Sequence, residues 1–210
     1  MRISELAAAS GVPLPTVKFY LREGLLPPGD AIAVNQARYE ESHLRRLRLI
    51  RALTEVGGLP LKSVNRVLEA IDDEHLPLHE LLGVAHYALE PSAPADAGAM
   101  RDVVDALLDD LGWNINPEAP ARRTLGRALA TLSDLGRAVS PAVLRRYAEA
   151  ADSLATAEVA AVPAEASRGE AVESVVVGTV LYEAVLDALR RLAQEHHSSQ
   201  RFGHGAARTR

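Results

Sequence analysis

The sequence predicts a mainly α-helical folded protein, and three observations carry that expectation. Hydrophobic residues make up 48% of the 210 residues against 24% charged, the balance of a packed chain rather than a disordered one. Aromatics are only 4%, so aliphatic side chains and alanine must supply the core, as in helix–helix packing. Apolar residues recur at three- and four-residue spacings along most of the length, whereas alternation is confined to one short stretch. A chain of this length accommodates one large or two small domains.

In order, "SELAAAS" reads as a short helix with Ser4 as its N-cap and Ile3, Leu6 and Ala7 facing inward. Gly11 falls where a tight turn needs a permissive backbone. "LPTVKFYLRE" forms the second helix, with Pro15 tolerated in its first turn. Helix, short turn, helix is a helix-turn-helix arrangement. Gly24 and Pro27-Pro28-Gly29 end the second helix, and "AIAVNQARY" alternates as one arm of a small ribbon paired with the "GLLP" side, with Asn35 at a turn. "EESHLRRLRLIRALTEVG" is then a long amphipathic helix with Leu44, Leu47, Ile50, Leu53 and Thr54 inward. "PLKSVNRVLEAID" adds another, with Leu61, Val64, Val67, Leu68 and Ile71 at helical spacings.

The remainder continues in helices: "HELLGVAHYALE", then the breaker-rich "PSAPADAG", "MRDVVDALLDDLGW", "ARRTLGRALATLSDLG" and "SPAVLRRYAEAADSLATAEVAAV" capped by Ser140. The last helix is expected over "AVESVVVGTVLYEAVLDALRRLAQEH", followed by a mobile basic tail. Four segments follow: a first module over 1–72, a connector over 73–95, a helical domain over 96–197, and a tail over 198–210.

Composition narrows the function. Cysteine is absent, which excludes disulfides, thiolate nucleophiles and cysteine-ligated metals. His75 and His79 are separated by Pro77, so they do not share a helical metal face, and no metal, cofactor or catalytic constellation is assigned. The N-terminus lacks a signal-peptide core and no 18-residue apolar run occurs, so cytoplasm is the expected location, without membrane contact. The net charge of -5 is uneven: residues 1–72 hold 10 Lys/Arg and 8 Asp/Glu, the rest 13 and 20. A mildly basic module joined to an acidic partner suits local phosphate contact.

Within the basic module, Thr16 and Lys18 can reach phosphates or base edges from a groove-inserted helix, and Arg22 can reach the backbone. Val17, Tyr20 and Leu21 seat that helix. The same pattern also fits a solvated charged helix beside an ordinary core. The ribbon shifts the balance: Arg38 at its far side suits phosphate, while Tyr39 packs inward and presents its hydroxyl. Arg45, Arg46, Arg48 and Arg51 cannot all face one way, so only part of that run can touch DNA.

"RISELAAASGVPLPTVKFYLREGLLPP", "NQARY" and "LRRLRLIRALTEVGGLPLKSVNRVL", in that order, resemble the MerR family of transcription regulators over about residues 1–72. The resemblance implies a winged helix-turn-helix with a two-stranded wing, followed here by an all-helical C-terminal domain. It assigns Thr16, Lys18, Tyr20 and Arg22 to the DNA-reading helix, and Arg38 and Tyr39 to the end of the wing. It implies a homodimer on double-stranded promoter DNA at a near-palindromic element, RNA polymerase contact through spacer distortion, and response to a ligand. Phe19 lacks the hydroxyl of a frequent paired tyrosine, Ala37 replaces a larger wing residue, and residues 73–94 give no long dimerisation helix. The dimer interface is accordingly expected in residues 76–90 or in the final helix.

Trp113, Tyr147 and Tyr182 suit the lining of a cavity for a small organic effector, and equally suit helix packing. Two alternatives stand beside the regulator: a DNA-binding structural or recombination accessory protein, and a non-catalytic protein-interaction module.

Overall fold

The computed structural model describes residues 1–33, 36–90 and 100–203. It divides into two compact units, Met1–Pro60 with Glu173–Arg210, and Leu61–Val172.

In the first unit, α1 (Ile3–Ser10) and α2 (Leu14–Arg22) flank a turn in which Gly11 takes φ +68°. A Cβ there would also lie 2.9 Å from the Arg51 guanidinium, but that flexible tip can move aside, so the positive φ is what calls for glycine. Buried Ser10 seals the turn, its hydroxyl donating to the Ala7 carbonyl and accepting from the Val12 N–H. The N-cap of α1 is Arg2 rather than Ser4. The cause is Glu5, whose carboxylate reaches back to accept the Arg2 N–H at 2.7 Å and starts the helix two residues early.

β1 (Asp30–Ala33) and β2 (Gln36–Arg38) pair antiparallel, with Asp30 opposite Arg38 and Ala31 opposite Ala37. The ribbon therefore pairs Asp30–Ala33 with Gln36–Arg38, and "GLLP" is not its second arm. Consecutive Leu25 and Leu26 are both buried, which a half-exposed strand cannot arrange; after Gly24 they turn into the core, with the Leu26 N–H donating to the Tyr20 carbonyl. The turn expected at Asn35 lies outside the described residues.

α3 (Glu41–Arg51) buries Leu44, Leu47, Leu49 and Ile50 and continues into a π-helical turn, Ala52–Val56. There the Thr54 hydroxyl donates to the Ile50 carbonyl at 2.8 Å, and Leu53 stays fully buried. Leu6, Val17, Leu26, Leu47 and Ile50 are other fully enclosed side chains of this unit, so α1, α2, the exit turn and α3 all contribute to its interior.

The second unit holds α4 (Leu61–Asp72), α5 (Leu78–Leu89), α6 (Arg101–Leu111), α7 (Pro120–Asp134) and α8 (Pro141–Ala160). Val64, Val67 and Leu68 of α4 and Leu81, Ala85 and Ala88 of α5 are buried where these helices pack together. Leu61, expected inward, is exposed because it is the first residue of its helix, at the solvent end of the stripe. Val104 and Leu108 of α6 meet Leu129 of α7, with Trp113, Leu125, Val139 and Leu144 around them. Ion pairs Arg122–Asp105 and Arg145–Asp110 tie α6 to α7 and to α8. Ser140 caps α8 by accepting from the Val143 N–H, as its sequence position suggests.

α9 (Arg168–Phe202) spans the division between the units. It begins earlier than expected because "SRGE" is a capping box: the Ser167 N–H and hydroxyl both donate to the Glu170 carboxylate, at 2.8 and 2.6 Å. It also runs on to Phe202, so the first residues assigned to a tail are helical. Among the described residues no helix is long and apolar enough to cross a membrane.

Candidate nucleic-acid interface

α2 is seated by Val17 and Tyr20, with Leu14 and Leu21 half-buried beside them. At 100° per residue the remaining side chains occupy the outward arc, with Thr16 and Lys18 at its two edges about 160° apart and Phe19 and Arg22 between. Lys18 and Arg22 are exposed; Thr16 and Phe19 are half-buried. The Arg22 guanidinium lies 5.3 Å from the Phe19 ring centroid and its Nε 3.2 Å from the Glu23 carboxylate, contacts that steady an otherwise solvated cation. Burial, reinforced by the Glu55 carboxylate, raises the Tyr20 phenol above its ordinary range, while a hydrogen bond with Thr54 acts the other way. Tyr20 thus holds α2 on the π-helical turn from within.

At the wing, Arg38 ends β2 and is exposed, whereas Tyr39 is buried with its ring edge-on to His43 at 5.3 Å. The Tyr39 backbone pairs with Met1 in both directions, the Met1 ammonium donating to its carbonyl at 2.7 Å and its N–H donating to the Met1 carbonyl at 2.8 Å. Gly29 passes so close to this base that a Cβ would sit 2.5 Å from the Arg38 carbonyl oxygen and 3.0 Å from the Tyr39 ring. Arg46 Nε donates to the Leu25 carbonyl at 2.7 Å and fixes the chain between α2 and the wing. Arg51, exposed like Arg45 and Arg48, pairs with Glu55 at 2.6 Å, while Arg46 is half-buried.

Of the residues proposed from sequence, Thr16, Lys18, Arg22 and Arg38 lie on outer positions of α2 and β2, and Tyr20 and Tyr39 are internal supports. Sequence reasoning missed Gly29, Arg46 and Met1 as positioning elements. Only the glycine beside "PP" offered a signal, and it was read as a helix stop. In the C-terminal helices, Trp113 is half-buried in the α6–α7 cluster, while Tyr147 and Tyr182 are exposed on α8 and α9. A solvent-open groove of about 390 Å³ on α4 is lined by Lys62, Ser63, Asn65, Arg66 and Glu69, and by none of these aromatics.

This geometry has relatives. Residues 1–71 match the sequence profile of the MerR HTH family regulatory protein. The HTH-type transcriptional regulator ZntR homolog of Haemophilus influenzae is 32% identical over 98 residues, 39% of this chain and 73% of that protein. The chain belongs to the MerR family. The Mercuric resistance operon regulatory protein of Serratia marcescens is 32% identical to this MerR-family chain over 110 residues, 51% of this chain and 74% of that protein. The crystal structure of SCO5550 from Streptomyces coelicolor A3(2) superposes with a TM-score of 0.75 at 40% identity, covering 97% of this MerR-family chain and 98% of the other. That likeness extends the relationship beyond the winged module into the helices that follow, where the chain carries no motif of its own. Membership makes the protein a DNA-binding transcription regulator.

Proposed function

We propose that the protein acts as a homodimer on a near-palindromic promoter element, with α2 in the major groove and the wing on the flanking backbone. The observation that carries this reading is the division of labour in the first unit: Lys18, Arg22 and Arg38 point cations outward from elements whose other faces are locked by Val17, Tyr20 and Tyr39. Residues 1–72 are the DNA-binding module in this proposal. Residues 73–95 act as connector or dimerisation segment, and 96–197 as the effector or oligomerisation domain, where Trp113 offers an aromatic surface to an organic effector. Contact with RNA polymerase follows if the dimer reshapes the promoter spacer. The name of the Serratia relative does not bring a mercury site with it. This chain has no cysteine, and among the described residues no group of three or more His, Asp or Glu could hold a metal ion.

The test separates phosphate from base contacts. Arg38→Gln is expected to weaken operator and nonspecific DNA alike and to reduce the slope of log K against log salt by about 1. Titrations at several salt concentrations measure it, and an unchanged slope in a folded protein removes Arg38 from the interface. Thr16→Ala and Lys18→Ala are expected to lose discrimination, on the order of 1–3 kcal/mol at one or two operator positions. Equal losses on all sequences would place both on the phosphates instead.

A further inference from the structure

Helix α7 carries Arg122, Arg123 and Arg127, and the first two are paired. Arg122 meets the Asp105 carboxylate of α6, and Arg123 reaches Glu118, whose backbone carbonyl accepts from Nη1 at 3.3 Å. Arg127 is half-buried and forms no ion pair among the described residues. Its Nε is shut off from water without a hydrogen bond, and its Nη2 donates to the Thr124 hydroxyl at a long 3.4 Å. That hydroxyl in turn donates at 3.2 Å to the carboxylate of Glu90, the C-cap of α5. Glu90 is half-buried too, and among the described residues Thr124 is its one partner.

A guanidinium and a carboxylate so near each other would ordinarily close into a salt bridge. Here a hydroxyl stands between them, and bonds of 3.4 and 3.2 Å hold the charges within about 6.6 Å. Each is drawn partly out of water with no counter-charge in contact, a cost that asks for an explanation. Nη1 has no partner among the described residues, so the Nη1–Nη2 edge of the fork is open to a bidentate carboxylate. The charges also select the ligand. A plain anion on Arg127 is opposed by Glu90, and a plain cation on Glu90 is opposed by Arg127. A molecule bearing both charges satisfies both groups at once. With a hydrogen bond of about 2.9 Å at each end, the gap suits a carboxylate beside a carbon that carries an ammonium.

We infer that Arg127 and Glu90, held in place by Thr124, bind the carboxylate and the ammonium of a small zwitterion of the α-amino-acid class. This rests on the effector reading proposed above, and gives that effector a chemical class and a place between α5 and α7. Binding exchanges the hydroxyl relay for charge-assisted bonds that tie the end of α5 to α7.

The full-length chain is melted with each of the common L-amino acids in turn, and with acetate and methylammonium as single-charge controls. At least one amino acid is expected to raise the thermal midpoint, by roughly 5–10 °C at about 100 times its Kd, and neither control is. Arg127→Met and Glu90→Gln are each expected to weaken that binding about thirtyfold or more in calorimetric titration. Without ligand, Arg127→Met is expected to melt no lower than wild type, because it removes an unbonded buried nitrogen and keeps the packing of the stem. Amino acids that all leave the midpoint unmoved, or binding that survives in both variants, overturn the site. A ligand-free Arg127→Met that melts well below wild type makes Arg127 a packing residue and overturns it as well. The effector reading is judged separately, by operator titration with the bound amino acid. A change in operator affinity that both variants lose supports it, whereas an unchanged affinity removes this site from regulation and leaves the zwitterion site standing.

Discussion

Replacing Arg168 by methionine is expected to destabilise the Leu61–Val172 unit by about 3 kcal/mol and to lower its thermal midpoint by about 10 °C. The reason is geometric. The first residue of α9 turns its guanidinium onto the end of α4, where Nε donates to the Ile71 carbonyl at 3.0 Å and Nη2 to Ala70 and Asp73 at 3.0 and 2.9 Å. Nη1 donates to the Leu76 carbonyl at 2.8 Å. The last carbonyls of a helix have no intrahelical partner, and a cation at that end also answers the helix dipole. One side chain therefore satisfies a helix terminus and the turn into α5 across more than ninety residues of sequence. Methionine keeps the stem's packing but leaves these acceptors unpaired. Lysine keeps the charge without the fork, so Arg168→Lys is expected to recover only part of the loss. Thermal unfolding followed by circular dichroism measures all three proteins; a midpoint for Arg168→Met within about 2 °C of wild type would show that water replaces the guanidinium without penalty.

The second large effect is expected at Gly29. Alanine there places a methyl 2.5 Å from the Arg38 carbonyl oxygen, and neither that backbone nor the buried Tyr39 ring can swing aside as a flexible side-chain tip could. Overpacking of this kind costs about 1–3 kcal/mol. The strain is relieved most readily by lifting the ribbon, because the two strands are short and have no third neighbour among the described residues. Arg38 moves with it. Operator affinity is therefore expected to fall about tenfold for Gly29→Ala while the helical signal is retained, a difference of about 1.4 kcal/mol. A binding isotherm indistinguishable from wild type would mean that the wing's position does not matter to DNA.

The helical part of this fold was readable because burial at three- and four-residue spacing is a local signal. Val17 and Tyr20 in α2, and Leu44, Leu47, Ile50 and Leu53 in α3 and its extension, lie where the pattern puts them. The errors arose where a distant or competing contact decides. Alternation alone could not say that β1 pairs with residues of its own stretch rather than with Leu25 and Leu26, because it does not reveal which apolar pairs go to the core. Glu5 displaced Ser4 as the determinant of α1's start, and "SRGE" was a cap hidden among small residues. The α3 π-turn and the Arg168 clamp have no sequence signature, since both are set by atoms that meet only after folding. At the candidate interface the exposed cations were legible from charge and helical phase. The positioning residues Gly29, Arg46 and Met1 were not, because their roles consist of backbone approaches.

Occupancy across the genome, followed by footprinting of the best-bound site, tests the central claim most directly. A two-fold protected element with two half-sites facing successive major grooves is the expected result, with protection extending over the flanking backbone where Arg38 would sit. A single unsymmetrical footprint, or none that survives physiological salt, would contradict a dimeric regulator that reads DNA through α2 and its wing.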